Sequence, residues 1–186
     1  ARVHMATDMG LGSGDNFVPT DHLLDPRVDF IIARRGVDFL GWGIHPGNDW
    51  IREPANGGPF MTKIFMHRKD EQALNLNGTG FSNGKNYRII RYANILLWRA
   101  ECAIEDNQLD VARGLINQVR TREKTSTPVM GLCTKYSNLA SVTAADVDYT
   151  KPAANYKVEP YPAGHPAFAT QAEARKAVRE ETRIEF

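Results

Sequence analysis

"RYANILLWRAECAIE", residues 91–105, decides how this chain is read. Wound as a helix and extended back to Ile89, it sets Ala93, Leu96, Leu97, Ala100, Ala103 and Ile104 on one face. Ile95, Trp98 and Cys102, spaced i, i+3, i+7, make a second apolar arc nearly opposite, where an ordinary amphipathic helix is polar. A helix with two apolar sides needs cover on both. The pattern therefore predicts an inner helix between its own partner and a further neighbour, with Ile95, Trp98 and Cys102 buried against that neighbour.

The following residues supply the partner. After a break at "DNQ", a second helix is predicted from about Leu109 to Arg122, with Val111, Ala112, Leu115, Ile116 and Val119 on one stripe. The first helix is expected from about Tyr87 to Glu105. The pair fills 87–123, close to the tetratricopeptide period, with the small residues Ala93, Ala100 and Ala112 where the helices would touch. One pair cannot bury its own apolar face, so more helices are required. A last helix is expected from "TQAE", with Thr170 as N-cap and Glu173 reaching back, through to Phe186, where no stop signal follows. Its stripe of Ala174, Ala177, Val178 and Ile184 makes it one candidate for the missing neighbour. Glu181 falls at the centre of that stripe and Glu185 near its edge. Buried carboxylates require partners, so Glu181 is expected in an ion pair with Arg91, Arg120 or Arg122, in preference to a catalytic role.

The rest of the chain is poor in periodicity. Residues 1–26 read as irregular chain ending in a turn at Asp25-Pro26. "RVDFIIARRG" offers Val28, Phe30 and Ile32 in alternation, a strand pattern closed by Gly36. Residues 36–60, "GVDFLGWGIHPGNDWIREPANGGPF", are rich in glycine and hold three prolines and four large aromatics, the composition of an ordered loop. "NLNGTGFSNGKN", 75–86, predicts a hairpin or Ω-type excursion and contains the sequon Asn77-Gly78-Thr79. Residues 124–169 read as a long connection with at most a short helical turn at Thr143–Val147, where Thr143 and Asp146 fit a capping box.

Composition excludes several classes. Lys+Arg 23 against Asp+Glu 22 leaves no field to attract nucleic acid or an anionic membrane. No apolar run approaches the length of a membrane span, and the opening residues lack the apolar core of a signal peptide. His4, His22, His45, His67 and His165 are dispersed without metal-ligand spacing, and His45-Pro46-Gly47 reads as a turn. Cys102 and Cys133 read as a buried helical thiol and a loop thiol, with a disulfide between them open.

Three blocks in order then resemble one family. "NYRIIRYANILLWRAECAIEDNQLDVARGLINQVRTR" is similar to the signature helix pair of the SusD/RagB family, an Arg-Tyr-Ala-x-x-Leu-Leu-x-x-Ala-Glu helix before an Ile-Asn-x-Val-Arg-x-Arg helix. "DPRVDFIIARRGVDFLGWGIHPGNDWIREPANGGPF" resembles its Asp-Pro-Arg segment and the aromatic-glycine loop behind it. "EETRIEF" resembles the start of its Glu-Arg-Arg-Ile-Glu-Leu helix, with Thr182 in place of the first arginine. The resemblance covers the chain from about residue 16 onward.

It implies a mostly α fold of tetratricopeptide-like helix pairs with a large loop-rich ligand-binding portion and little β structure. The expected organisation is a single SusD/RagB-like domain over 1–186, incomplete at both ends. It comprises a loop-rich segment 16–86, the helix pair 87–123, a long insertion 124–169 and the start of a C-terminal helix at 170–186. The implied function is that of a surface-exposed, lipid-anchored glycan-binding protein of the bacterial outer membrane in Bacteroidetes. It would capture oligosaccharides and deliver them to a SusC-like TonB-dependent transporter, a β-barrel. The anchor and earlier helix pairs would precede residue 1. Neither enzyme activity, nor a cofactor, nor a metal is implied. A peptide-binding member of the family, or a tetratricopeptide adaptor, is the alternative.

Sugar binding without catalysis needs aromatic faces for pyranose C–H surfaces and planar polar groups for hydroxyls. The 36–60 loop offers Phe39, Trp42, Trp50 and Phe60 beside Asp38, Asn48, Asp49 and Arg52. Trp42, Trp50, Asp49 and Arg52 are taken as candidate ligand-binding residues, together with Phe81 and Tyr136 from the less patterned stretches; Tyr149 is a further exposed candidate. A second reading makes Trp42 and Trp50 a small core that holds the glycine-rich loop. A hydrolase would instead pair Asp38 with Asp49, or Asp49 with Glu53, but carboxylate pairs arise by chance in any such loop.

Overall fold

The structure is a computed structural model that describes residues 8–12, 14–18, 20, 22–75 and 86–186. The chain divides into two compact units, one built from residues up to Tyr87 with Pro128–Lys157, the other from Arg88–Thr127 with Val158–Phe186. Phe81 and the 77–79 sequon lie outside the described residues, as does nearly all of the excursion expected at 75–86.

The first unit is short elements joined by long, hydrogen-bonded loops. Along the chain these are α1 (Arg27–Ile31), β1 (Ile32–Ala33), α2 (Pro54–Gly57), β2 (Met61–Thr62), α3 (Gln72–Asn75), β3 (Met130–Cys133) and β4 (Val147–Pro152). β1 pairs antiparallel with β2, Ile32 opposite Thr62, and β3 pairs antiparallel with β4, Cys133 opposite Val147. The β3–β4 pair lies inside the stretch read as a long connection, which contains more order than its composition suggested. The short turn expected there forms at Ala144–Asp146, with Asp146 Oδ2 accepting from the Thr143 N–H at 2.8 Å.

The strand expected from Val28, Phe30 and Ile32 is instead mostly helix. Asp25 Oδ1 accepts from the Arg27 N–H at 3.0 Å and starts the turn that becomes α1. What the segment buries is its charge, Arg27, Asp29, Arg34 and Arg35, while Phe30 stays 47 % exposed. Arg34 clasps Asp29 through two bonds of 2.7 Å, the Tyr156 hydroxyl donates to the same carboxylate, and Lys63 Nζ donates to the Asp29 carbonyl at 2.9 Å. Burial and the adjacent Asp29 carboxylate push the Tyr156 phenol upward, keeping it a neutral donor. This set of partners, drawn from distant parts of the chain, outweighs a local alternation of three apolar residues.

The second unit is helical: α4 (Tyr92–Glu105), α5 (Leu109–Thr125) and α6 (Gln171–Glu185). α4 starts five residues later than the periodicity predicts because Asn94 Oδ1 accepts from the Arg91 N–H at 2.8 Å and closes the first turn there. It ends where Asn107 takes a left-handed φ of 57° and the Gln108 N–H reaches the Ala103 carbonyl at 2.7 Å, a Schellman-type stop. α6 starts as expected, with the Thr170 hydroxyl accepting from the Glu173 N–H at 3.2 Å. The Glu173 carboxylate does not reach back, and pairs with Lys176.

One core joins the three helices: Ala93, Leu96, Leu97, Ala100, Ala103 and Ile104 of α4, Ala112, Leu115, Ile116 and Val119 of α5, and Ala174, Ala177 and Val178 of α6, with Phe168. α6 therefore packs onto the stripe that already meets α5. The expectation that Ile95, Trp98 and Cys102 are buried fails here. Ile95 and Trp98 are 46 % and 48 % exposed and Cys102 is exposed, because alanines on the main face admit two neighbours to one side of α4. Cys133, read as a loop thiol, is the buried one, in β3; both thiols are free. Glu181 finds one of the arginines expected for it, Arg120, at 2.8 Å, and Glu185 pairs with Arg122 at 2.7 Å.

Candidate functional site

The aromatic-glycine loop lies wholly in the first unit and is built in two steps. Residues 36–45 fold back on themselves: the Gly36 N–H donates to the His45 carbonyl at 2.9 Å, His45 N–H to Val37 at 3.0 Å, and Phe39 N–H to Gly43 at 2.8 Å. The tip takes left-handed backbone at Leu40, Gly41 and Gly43, and the Asp38 carboxylate accepts the Gly41 N–H at 2.7 Å. Val37, Phe39, Ile44 and His45 point inward, and Ile44 packs with Cys133, Leu139 and Val147. Trp42 is left at the tip. A 3-10 turn, Asn48–Trp50, then presents Asp49 and Trp50.

Both indoles pack against neighbours and stay partly exposed. Trp50 meets Phe39 and His45 edge-on, at ring-centroid distances of 6.2 and 5.5 Å. Its ring also lies over Gly43, where a Cβ would sit 3.3 Å from Cη2. Trp42 packs edge-on against His67 and donates through Nε1 to the His67 carbonyl at 3.3 Å. Trp42 and Trp50 remain 37 % and 41 % exposed. Gly43, on which Trp50 packs, follows Trp42 directly in the chain. Asp49 and Arg52 are exposed in the same stretch of chain. Tyr136 is half-buried, its carbonyl accepting the Phe17 N–H at 2.8 Å, and Tyr149 is exposed on β4 with its ring over Gly131.

The floor of the loop is a buried cation and a buried imidazole, neither prominent in the sequence reading. Arg35 pairs with Asp8 and donates to the carbonyls of Gly12 and Leu11 at 2.7 and 2.9 Å. Asn48 Nδ2 reaches the same Leu11 carbonyl at 2.9 Å. Gly47, with φ 93°, lies so close to the guanidinium that a Cβ would fall 2.5 Å from Arg35 Nη2. His45 is fully buried and its Nδ1 accepts the Gly47 N–H at 3.1 Å. Burial, then the Lys63 and Arg35 cations, hold its pKa down at about 4, so the ring is neutral at pH 7. The arrangement offers two partly exposed indoles on a loop that also carries exposed Asp49 and Arg52.

The chain thus combines a three-helix unit with a loop-rich unit that carries two half-exposed indoles. A family model described as the SusD family matches residues 6–186, and the chain belongs to that family. No curated protein matches it in sequence. Proteins of the SusD family bind nutrients, are not enzymes, are typically outer-membrane lipoproteins and generally work with TonB-dependent transporters. No helix among the described residues is long and apolar enough to cross a membrane.

Proposed function

We propose that this chain belongs to a surface lipoprotein that captures oligosaccharides and hands them to a TonB-dependent transporter of the outer membrane. What supports the reading is the pair of half-exposed indoles, Trp42 and Trp50, fixed on one glycine-rich loop. Each offers a rigid apolar face to a pyranose ring at little entropic cost, and Asp49 and Arg52 stand within the same loop to take hydroxyls. The alternative, a small core that holds the loop, draws on the packing of Trp50 on Phe39 and His45 and of Trp42 on His67.

The test is a binding screen of oligosaccharides and peptides on the full chain, repeated with Trp42→Ala and Trp50→Ala. Loss of oligosaccharide retention by roughly tenfold in folded variants supports the proposal. Retention of peptides alone, or unchanged glycan binding in both variants, overturns it. Co-purification from native membranes with a large β-barrel tests the transporter.

A further inference from the structure

We propose that His45 is a proton-operated latch for the Trp50 loop: as the neutral ring it holds the Gly47 turn closed, and as imidazolium it lets residues 46–51 go. Because Nδ1 accepts the Gly47 N–H, the neutral ring carries its proton on Nε2. A second proton must go to Nδ1, where it meets another donor. The hydrogen bond that shapes the turn then becomes a contact between two N–H groups.

The charged surroundings disfavour the imidazolium, and the Trp50 indole 5.5 Å away is a contact that would gain from it. The charged groups that shift it are Lys63, next to β2, and Arg35, next to β1, and both are cations. Asp8 pairs with Arg35 through Oδ1, and Lys63 donates to the Asp29 carbonyl. Nε2 is buried with no hydrogen-bond partner among the described residues. An imidazolium in this place is relieved by reaching water.

The two halves of the loop are held differently. Residues 36–45 keep their own backbone bonds, whereas the His45–Gly47 bond, the Asn48–Leu11 bond and a 3-10 turn are among the contacts that shape 46–51. Gly47, in left-handed backbone, is the pivot. Trp50 packs on the imidazole itself, so opening carries that indole away from its seat. The consequence for ligand rests on Trp50 being a ligand contact, as proposed above; the latch does not.

The experiment follows Trp50 emission in the full chain carrying Trp42→Phe and Trp98→Phe, from pH 7 to pH 3. The expected result is a single loss of emission with its midpoint near 4, with the helical circular dichroism unchanged across it. In His45→Asn the Oδ1 can accept the Gly47 N–H and cannot titrate, so the step is expected to vanish. An acid step that persists in His45→Asn overturns the latch. Should that variant fail to fold, the His45 ring is titrated by its C–H proton resonances in the parent chain. A shared midpoint with Trp50 emission supports the latch, and a ring that titrates without the indole responding overturns it. A step in emission with unchanged oligosaccharide affinity on either side supports the latch and removes Trp50 from the ligand site.

Discussion

Arg120 of α5 and Glu181 of α6 form an ion pair of 2.8 Å at the centre of the helical unit, with the carboxylate only 1 % exposed. The same guanidinium lies 4.4 Å from the centroid of the Tyr161 ring and donates to the Glu159 carbonyl at 2.7 Å. Arg120 thus ties α6 and the 159–161 segment to α5. Removing one member strands the other in a poorly solvated place. Glu181→Ala is expected to destabilise by about 3 kcal/mol, measured by urea unfolding of the helical signal. The double variant with Arg120→Met should recover part of that loss, and a loss equal to the sum of the single ones would argue against coupling.

The two faces of α4 predict opposite mutational outcomes. Leu97 is 1 % exposed in the three-helix core, and Leu97→Ala is expected to cost about 3 kcal/mol. Ile95, on the exposed arc, should cost under about 1 kcal/mol when changed to Ala. A chain with Trp98 as its one tryptophan should emit at long wavelength and be readily quenched by acrylamide.

His45 makes stability fall in acid. Its folded pKa of about 4 lies below the ordinary 6.5, so the unfolded chain binds the proton more readily. The contribution is complete above pH 6.5, is lost progressively as pH falls toward 4, and levels off below that. At about 1.4 kcal/mol per pH unit this is roughly 3 kcal/mol. Urea midpoints recorded between pH 7 and pH 4 should show the decline, and His45→Asn should flatten it.

Two glycines should respond in opposite senses. Gly47→Ala forces a Cβ within 2.5 Å of Arg35 Nη2 at a backbone φ of 93°, and is expected to cost about 3 kcal/mol or more. Gly114 sits within α5 with open space where a Cβ would go. Gly114→Ala should stabilise the helical unit by roughly 0.5–1 kcal/mol, read as a higher Tm.

By itself the sequence determined the helical unit and the family. Those signals are local: apolar spacing over three or four residues places the stripes of α4 and α5, Thr170 and Thr143 mark the starts of their turns, and a carboxylate in the middle of an apolar stripe demands an arginine. The candidate indoles were legible because aromatics among glycines are costly to leave without a purpose. Tertiary structure decided what depends on partners far apart in the chain. The alternation at Val28, Phe30 and Ile32 gave way to a helix because Asp29 and Arg34 meet Lys63 and Tyr156. The second arc of α4 stayed exposed because α6 chose the alanine-lined side. His45, a turn residue by its neighbours, became a buried neutral base only through the placement of Arg35 and Lys63, since desolvation and field are properties of assembled space and leave no periodic trace in a sequence.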